Sequence, residues 1–270
     1  MEAHVGEGRP YASFHGARVT TLTISCCELP LINLRNAPFI PHGARSKRLW
    51  GSINAVDVLN LAENEGLTTE RELKLLFAAC GDLRNIITTI VALPKSSKAN
   101  VTCVINDNDT DATSRNAILL LVALEFEPEE AATIMVHLWY SALIPKSMLQ
   151  RIREKVLPLI KDVCQKVESK SATSIQSKRF SINGKTLRVV LLQEQWLKLP
   201  AYFDVPNGLT VVRAKEIRDA AVRPPHRLDY LDRYLYSLSP EARAGAMRFK
   251  ETGVLLPFGA PTNEFDTPNP

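Results

Sequence analysis

The sequence predicts an α/β fold, a parallel sheet core followed by a mostly helical region with a β-hairpin. Three observations carry this. Two strand–turn–helix units succeed each other between Glu72 and Leu124. Asn183-Gly184 separates two β-like runs. Three helix-patterned stretches then lie between Leu209 and Gly253.

Residues 1–48 read as an irregular arm with scattered Gly, Pro and Arg, in which "RVTTLTIS" has the composition of a short strand. "AVDVLNLAENEG" reads as a short helix or turn that ends at Gly66. "ELKLLFAAC" is a short apolar run before Gly81, the pattern of a buried strand. In "LRNIITTIVAL" the apolar residues Leu83, Ile86, Ile87, Ile90 and Leu93 have helical spacing, and Pro94 follows as a stop. "NVTCVIND" is β-branched and turns abruptly acidic, which marks a second strand. "NDTDATSRNAILLLVALE" opens with cap-capable Asp and Thr and continues as a helix whose apolar run from Ala117 predicts burial on most sides. This order is the βαβα signature of a parallel sheet, and a right-handed crossover puts both turns at the carboxyl edge.

Beyond Glu127 the chain turns helical. "EPEEAATIMVHLWYSALI" starts with Pro128 and acidic residues. Leu149, Ile152, Val156, Ile160, Val163 and Val167 form one apolar face of a long helix that Pro158 should kink. Asn183-Gly184 predicts a type I′ hairpin turn. "LTVVRAKEIRDAAV", "RLDYLDRYLYSL" and "SPEARAGAMRFKETG" read as three helices, the last with Ser239 as N-cap and Pro240 at the first position. The expected organisation is an arm (1–48), an α/β core (49–168), a helical region with hairpin (169–258) and an extended Pro-rich tail (259–270).

Composition excludes several function classes. The 33 basic and 29 acidic residues leave a formal charge of +4, and they are dispersed rather than clustered as a nucleic-acid footprint requires. The densest basic groups, Arg45, Lys47 and Arg48, then Arg151, Arg153 and Lys155, read as solvated surface. Cys26, Cys27, Cys80, Cys103 and Cys164 form no C-x-x-C pair, which speaks against a zinc finger. Cys80 and Cys103 sit in strand-like runs and are expected to be buried reduced thiols, as suits a reducing compartment. The first residues lack a basic start and an apolar core, and the longest apolar run, Ala117–Leu124, is far too short to span a bilayer. The expectation is a soluble cytoplasmic protein that works with protein partners and neither membrane nor nucleic acid.

The candidate site lies at the two turns. The first, "ACGDLRN", holds one glycine where a dinucleotide fingerprint has three. Gly81 still permits a tight turn, and the next helix could present N–H groups to an anionic ligand, with Asp82 beside it. The plainer alternative is that Gly81 ends a strand and Asp82 caps a helix. In the second turn Asp107 ends the strand where nucleotide-binding folds place a ribose-binding carboxylate. Alternatively Asp107, Asp109 and Asp111 serve as helix caps. Counting from Asp107, a calcium loop would need Gly at its sixth and Glu at its twelfth position, and neither is there. Arg115 and Asn116 open the second helix and face either cleft or solvent; Asn85 holds a similar place in the first. No G-x-S-x-G motif occurs, and His4, His15, His42, His137 and His226 are scattered without metal spacing. His137, among apolar helix residues, reads as a core histidine.

"NEG…LKLLFAACGDLRNIITTI" followed by "VINDND…SRNAILLLVALE" resembles a fungal domain of unknown function that often accompanies MYND-type zinc fingers. It is also similar to the N-terminal domain of dynein axonemal assembly factor 3. Gly81, Asp82, Arg84 and Asn85 match the family's Gly-Asp-x-Arg-Asn turn, and Asp107, Arg115 and Asn116 match the acidic strand end and the Arg-Asn helix opening. Trp50, Gly51 and Asp57 match an upstream Trp-Gly element, and the likeness extends to about residue 259. The chain departs from the pattern in lacking MYND zinc ligands and in its N-terminal arm. The resemblance implies a Rossmann-like, methyltransferase-like core with no established activity. It leaves two functions open: a non-catalytic interaction or assembly protein, and an S-adenosylmethionine-dependent methyltransferase. Gly81, Asp82, Asn85, Asp107, Arg115 and Asn116 are the candidate residues for a cofactor, S-adenosylmethionine under the second function, and no metal is expected.

Overall fold

The computed structural model describes residues 19–25, 54–94, 97, 99–182, 185–222, 228–257 and 259–270. The chain divides into two compact units. The first comprises 1–26, 52–132 and 177–190; the second comprises 27–51, 133–176 and 191–270. Trp50, Gly51, the Asn183-Gly184 turn, Cys26, Cys27 and the histidines other than His137 lie outside the described residues.

The first unit is built on a five-stranded sheet in the order β2-β3-β1-β6-β5. Its strands are β1 (Val19–Ser25), β2 (Glu72–Ala78), β3 (Asn100–Asn106), β5 (Ile175–Ile182) and β6 (Lys185–Leu192). β2 with β3, β3 with β1, and β1 with β6 all pair parallel. β5 and β6 are joined by only two residues, which allows antiparallel pairing alone. The mixed α/β class with a mostly parallel sheet is therefore as expected. The "RVTTLTIS" run is the middle strand, with neighbours on both sides.

Register explains the core. Phe77 lies opposite Ile105, Ile105 opposite Ile24, and Ile24 opposite Val189. All four are buried, so one apolar row crosses four strands on one face. A second row runs Leu75, Cys103, Leu22 and Leu187. The opposite face is more open: Val104 is half-buried and Leu76 is 67% exposed. This corrects the reading of "ELKLLFAAC" as a buried strand. Among the described residues no strand flanks the outer side of β2, so it is an edge strand in which only Phe77 is buried and Leu73 and Leu75 are half-buried. An unbroken apolar run does not distinguish a central strand from an edge.

Between the strands lie α1 (Arg84–Ala92) and α2 (Thr110–Glu125), followed by α3 (Pro128–Tyr140). α2 carries a broad buried surface from Thr113 to Val122, as its apolar run requires. Residues 61–65 form turns rather than a helix, closed by Gly66 with φ +84°.

In the second unit β4 (Leu143–Ile144) leads to α4 (Lys146–Lys155) and α5 (Leu157–Val167). The expected kinked helix is in fact two helices. Pro158 occupies the first turn of α5, where its missing N–H costs nothing, and the break falls at Val156. The apolar stripe survives the break, since Leu149, Ile152, Val156, Ile160, Val163 and Val167 are all buried. α5 packs on α6 (Gln193–Lys198) and on a 3-10 turn (Leu199–Phe203), whose Trp196 and Phe203 are fully buried. α7 (Val211–Val222), α8 (Leu228–Ser237) and α9 (Pro240–Thr252) follow. Ser239 caps α9 by accepting the Ala242 N–H, and Gly253 ends it with φ +74°. The tail is not merely extended: β7 (Thr267–Pro268) pairs antiparallel with β4.

Candidate functional site

The two turns meet because β2 and β3 are parallel neighbours in register to their last residues, Ala78 opposite Asn106. One further ladder bond, from the Ala79 N–H to the Asn106 carbonyl at 2.8 Å, carries the pairing into the turn. Ala79 has φ +50° and Gly81 φ +63°, so the chain reverses through two left-handed residues. Glycine accepts this freely; at Ala79 it costs about 1–2 kcal/mol.

The Gly81 N–H donates to Asp107 Oδ2 at 2.8 Å, and the Asp109 N–H to Asp107 Oδ1 at 3.0 Å. Asp107 is only 8% exposed. The carbonyl of Gly81 accepts from Arg115 Nη2 at 2.8 Å and, more weakly, from Asn116 Nδ2 at 3.4 Å. Four of the six candidate residues are thus brought together by bonds that close on one peptide unit on either side of the Gly81 Cα. Asp82 stands beside them and is buried. Its Oδ2 accepts from Arg84 Nε at 2.9 Å and its Oδ1 from the Arg84 N–H at 3.0 Å. Asp82 therefore supports the approach to α1 through an Asx turn and is not its N-cap, which is Leu83. Asp109 is the cap of α2, accepting the Asp111 and Ala112 N–H groups.

Asn85 has a different role. Its Oδ1 accepts the Val56 N–H at 3.1 Å, and one turn later Thr89 Oγ1 accepts the Val58 N–H at 3.1 Å. Asp57 Oδ1 accepts the Leu59 N–H within that same segment at 3.0 Å. Asn85 and Thr89 thus fasten the segment before β2 along α1. Thr89 was missed, and so was Thr113, whose hydroxyl donates to the Asp107 carbonyl at 3.3 Å. The signal for Thr89 was available: a polar residue four positions after Asn85 on an otherwise apolar helix shares its face.

Two features leave chemistry open. An added Cβ on Gly81 would meet nothing within 4 Å among the described residues. Asn116 is fully buried and its Oδ1 has no hydrogen-bond partner among the described residues. Burial, then the carboxylates of Asp107 and Asp82, push the Cys80 thiol up to about 11. Cys80 is half-buried rather than buried, whereas Cys103 is buried and is also raised to about 11 by desolvation. Among the described residues no group of three or more His, Cys, Asp or Glu is placed to hold a metal. Nor is any described helix long and apolar enough to cross a membrane.

Residues 49–144 match a family described as a domain of unknown function (DUF4470). The matched stretch holds all six candidate residues and runs from before β2 to β4. No curated protein and no solved structure matches the chain.

Proposed function

We propose that this chain is a non-catalytic interaction or assembly protein with a methyltransferase-like core, acting through protein partners in the cytoplasm. The observation that carries the reading is the closure of the Gly81 turn. In cofactor-binding α/β folds the glycine turn offers backbone N–H groups to the ligand and the acidic strand end takes the ribose hydroxyls. In this chain the Gly81 N–H and the Asp107 carboxylate are engaged with each other. Two further points support it. Ligands of open sheets bind at a topological switch point, whereas this turn follows an edge strand. The resemblance to the fungal domain found with MYND fingers, and to dynein axonemal assembly factor 3, favours a role in assembly over one in catalysis.

The second reading, an S-adenosylmethionine-dependent methyltransferase, is favoured by two features among the described residues: no atom within 4 Å of a Cβ added to Gly81, and no partner for Asn116 Oδ1. Methyl transfer asks little of a protein beyond placing the cofactor, so the missing general base does not count against it. Under this reading Asp107 and Asn116 would hold the cofactor, which would itself supply the methyl group. Calorimetric titration with S-adenosylmethionine and S-adenosylhomocysteine separates the two. The proposal expects no heat at millimolar ligand. Saturable heat that Gly81→Arg and Asp107→Ala both abolish would establish the second reading in its place.

A further inference from the structure

At the carboxyl end of α3 the chain's last residues are bound by a dense set of contacts, all inside the second unit. Asn269 Nδ2 lies at hydrogen-bond distance from the carbonyls of His137 (3.2 Å), Leu138 (3.0 Å) and Ser141 (2.8 Å). These carbonyls stand at or just beyond the helix end, and that of His137 also accepts the Ser141 N–H at 3.0 Å. The Asn269 N–H donates to the Ala142 carbonyl at 3.0 Å, and β7 pairs with β4. Phe265 packs on the His137 ring, 4.8 Å between centroids. His137 Nδ1 lies 3.0 Å from Ser141 Oγ, and that oxygen accepts the Leu255 N–H at 3.0 Å. One buried imidazole thus touches Phe265 directly and is linked to Leu255 through the Ser141 hydroxyl.

We propose that residues 265–270 form a proton-sensitive latch, closed on the end of α3 while His137 is neutral and released when the imidazole is protonated. His137 is only 5% exposed, and Phe265 of the latch lies against its ring, 4.8 Å between centroids. The Ser141 hydroxyl has two acceptor lone pairs and one hydrogen, so it can keep the Leu255 N–H and still meet either form of the ring. Protonation therefore acts through desolvation: a cation buried under Phe265 loses its water, which costs the closed form and not the open one. Opening the latch gives the imidazolium access to water.

Among the described residues no carboxylate pairs with the His137 ring. Of the charged side chains on the elements packed here, Lys215 and Arg218 of α7 approach the Cα of Gly253, and Glu264 and Asp266 flank Phe265 and are exposed. Burial lowers the His137 pKa from its ordinary value near 6.5. A group depressed on closing favours the closed form most when neutral. Latch closure is therefore at full strength above about pH 6.5 and is lost as pH falls through the depressed value.

The test is amide exchange at Asn269 by NMR on the full chain, corrected for intrinsic rates, together with the titration of the His137 ring. Protection should be flat above about pH 7 and fall by up to about tenfold per pH unit below the mid-6 range. In His137→Gln it should be flat throughout. Asn269→Ala should raise the His137 pKa toward its ordinary value, because linkage is reciprocal. The proposal is overturned by pH-independent protection in the native chain, or by an equal fall in His137→Gln. An imidazole titration that Asn269→Ala leaves unchanged also overturns it, and that measurement decides alone where His137→Gln does not fold.

Discussion

Asp107→Ala removes both acceptors that close the turn, leaving the N–H groups of Gly81 and Asp109 without their partner. A hydrogen bond to a charged group contributes about 1.5–3 kcal/mol, and an orphaned donor is costly in proportion to its burial. The Asp109 side of the turn is exposed to water, which can replace its bond; the Gly81 side joins a carboxylate that is only 8% exposed. The expected loss is therefore about 2–4 kcal/mol, a large share of a domain stability of about 5–15 kcal/mol. Asp107→Asn keeps one acceptor and should lose about half as much. Asp109→Ala, which removes only a helix cap, should cost about 1 kcal/mol. Urea unfolding followed by far-UV circular dichroism gives the midpoints at unchanged slope. Amide exchange in β2 and β3 localises the effect, since Trp139 and Trp196 both lie in the second unit and report on that unit alone. If Asp107→Ala costs no more than Asp109→Ala, the closed turn contributes nothing and the reasoning fails.

Cys80, at about 11 against an ordinary value of 9.0, should carry about a hundredfold less thiolate at pH 8 than an unperturbed cysteine. Site-resolved alkylation by mass spectrometry checks this, and rapid labelling in the folded protein would contradict it. Gly81→Ala and Gly253→Ala form a contrasting pair. Both put a side chain at positive φ, at a cost of about 1–2 kcal/mol. At Gly253 the new Cβ also stands 3.1 Å from the Ala142 Cβ, whereas at Gly81 it meets nothing, so thermal denaturation should show the larger loss at Gly253. Ala79→Gly relieves the left-handed strain at φ +50° and should leave stability unchanged or raise it by up to about 1 kcal/mol, against the usual effect of adding glycine. Trp196→Ala should cost about 3–5 kcal/mol, because it empties a fully buried site and removes the indole bond to the Gln176 carbonyl. A loss below 1 kcal/mol would show that the packing around α5 is not tight.

Elements whose periodicity is local were legible. The apolar spacing of α1, the Ser239-Pro240 start of α9, the acidic opening of α2 and the stripe through α4 and α5 are all properties of short windows. Strand order was not legible, because it depends on pairing between segments far apart in the chain. Leu76 and Val104 both sit in apolar runs, yet one is at an edge and exposed while the other has strands on both sides. The same limit hid the central place of Val19–Ser25 and the docking of Thr267–Pro268 on β4. At the site, the meeting of Gly81 with Asp107 followed from two parallel strands with adjacent ends. What single-residue roles could not reveal was the direction of each bond: the pattern that offers N–H groups and a carboxylate to a ligand also lets them satisfy one another.

The most direct test of the closed turn is the Gly81 amide in an ¹⁵N-labelled sample, observed before and after addition of millimolar S-adenosylmethionine. A bond to Asp107 predicts a slowly exchanging amide whose shift and protection the cofactor leaves unchanged, and which begins to exchange rapidly in Asp107→Ala. An amide that exchanges freely in the unliganded protein, or that becomes protected and shifts when the cofactor is added, would contradict the account.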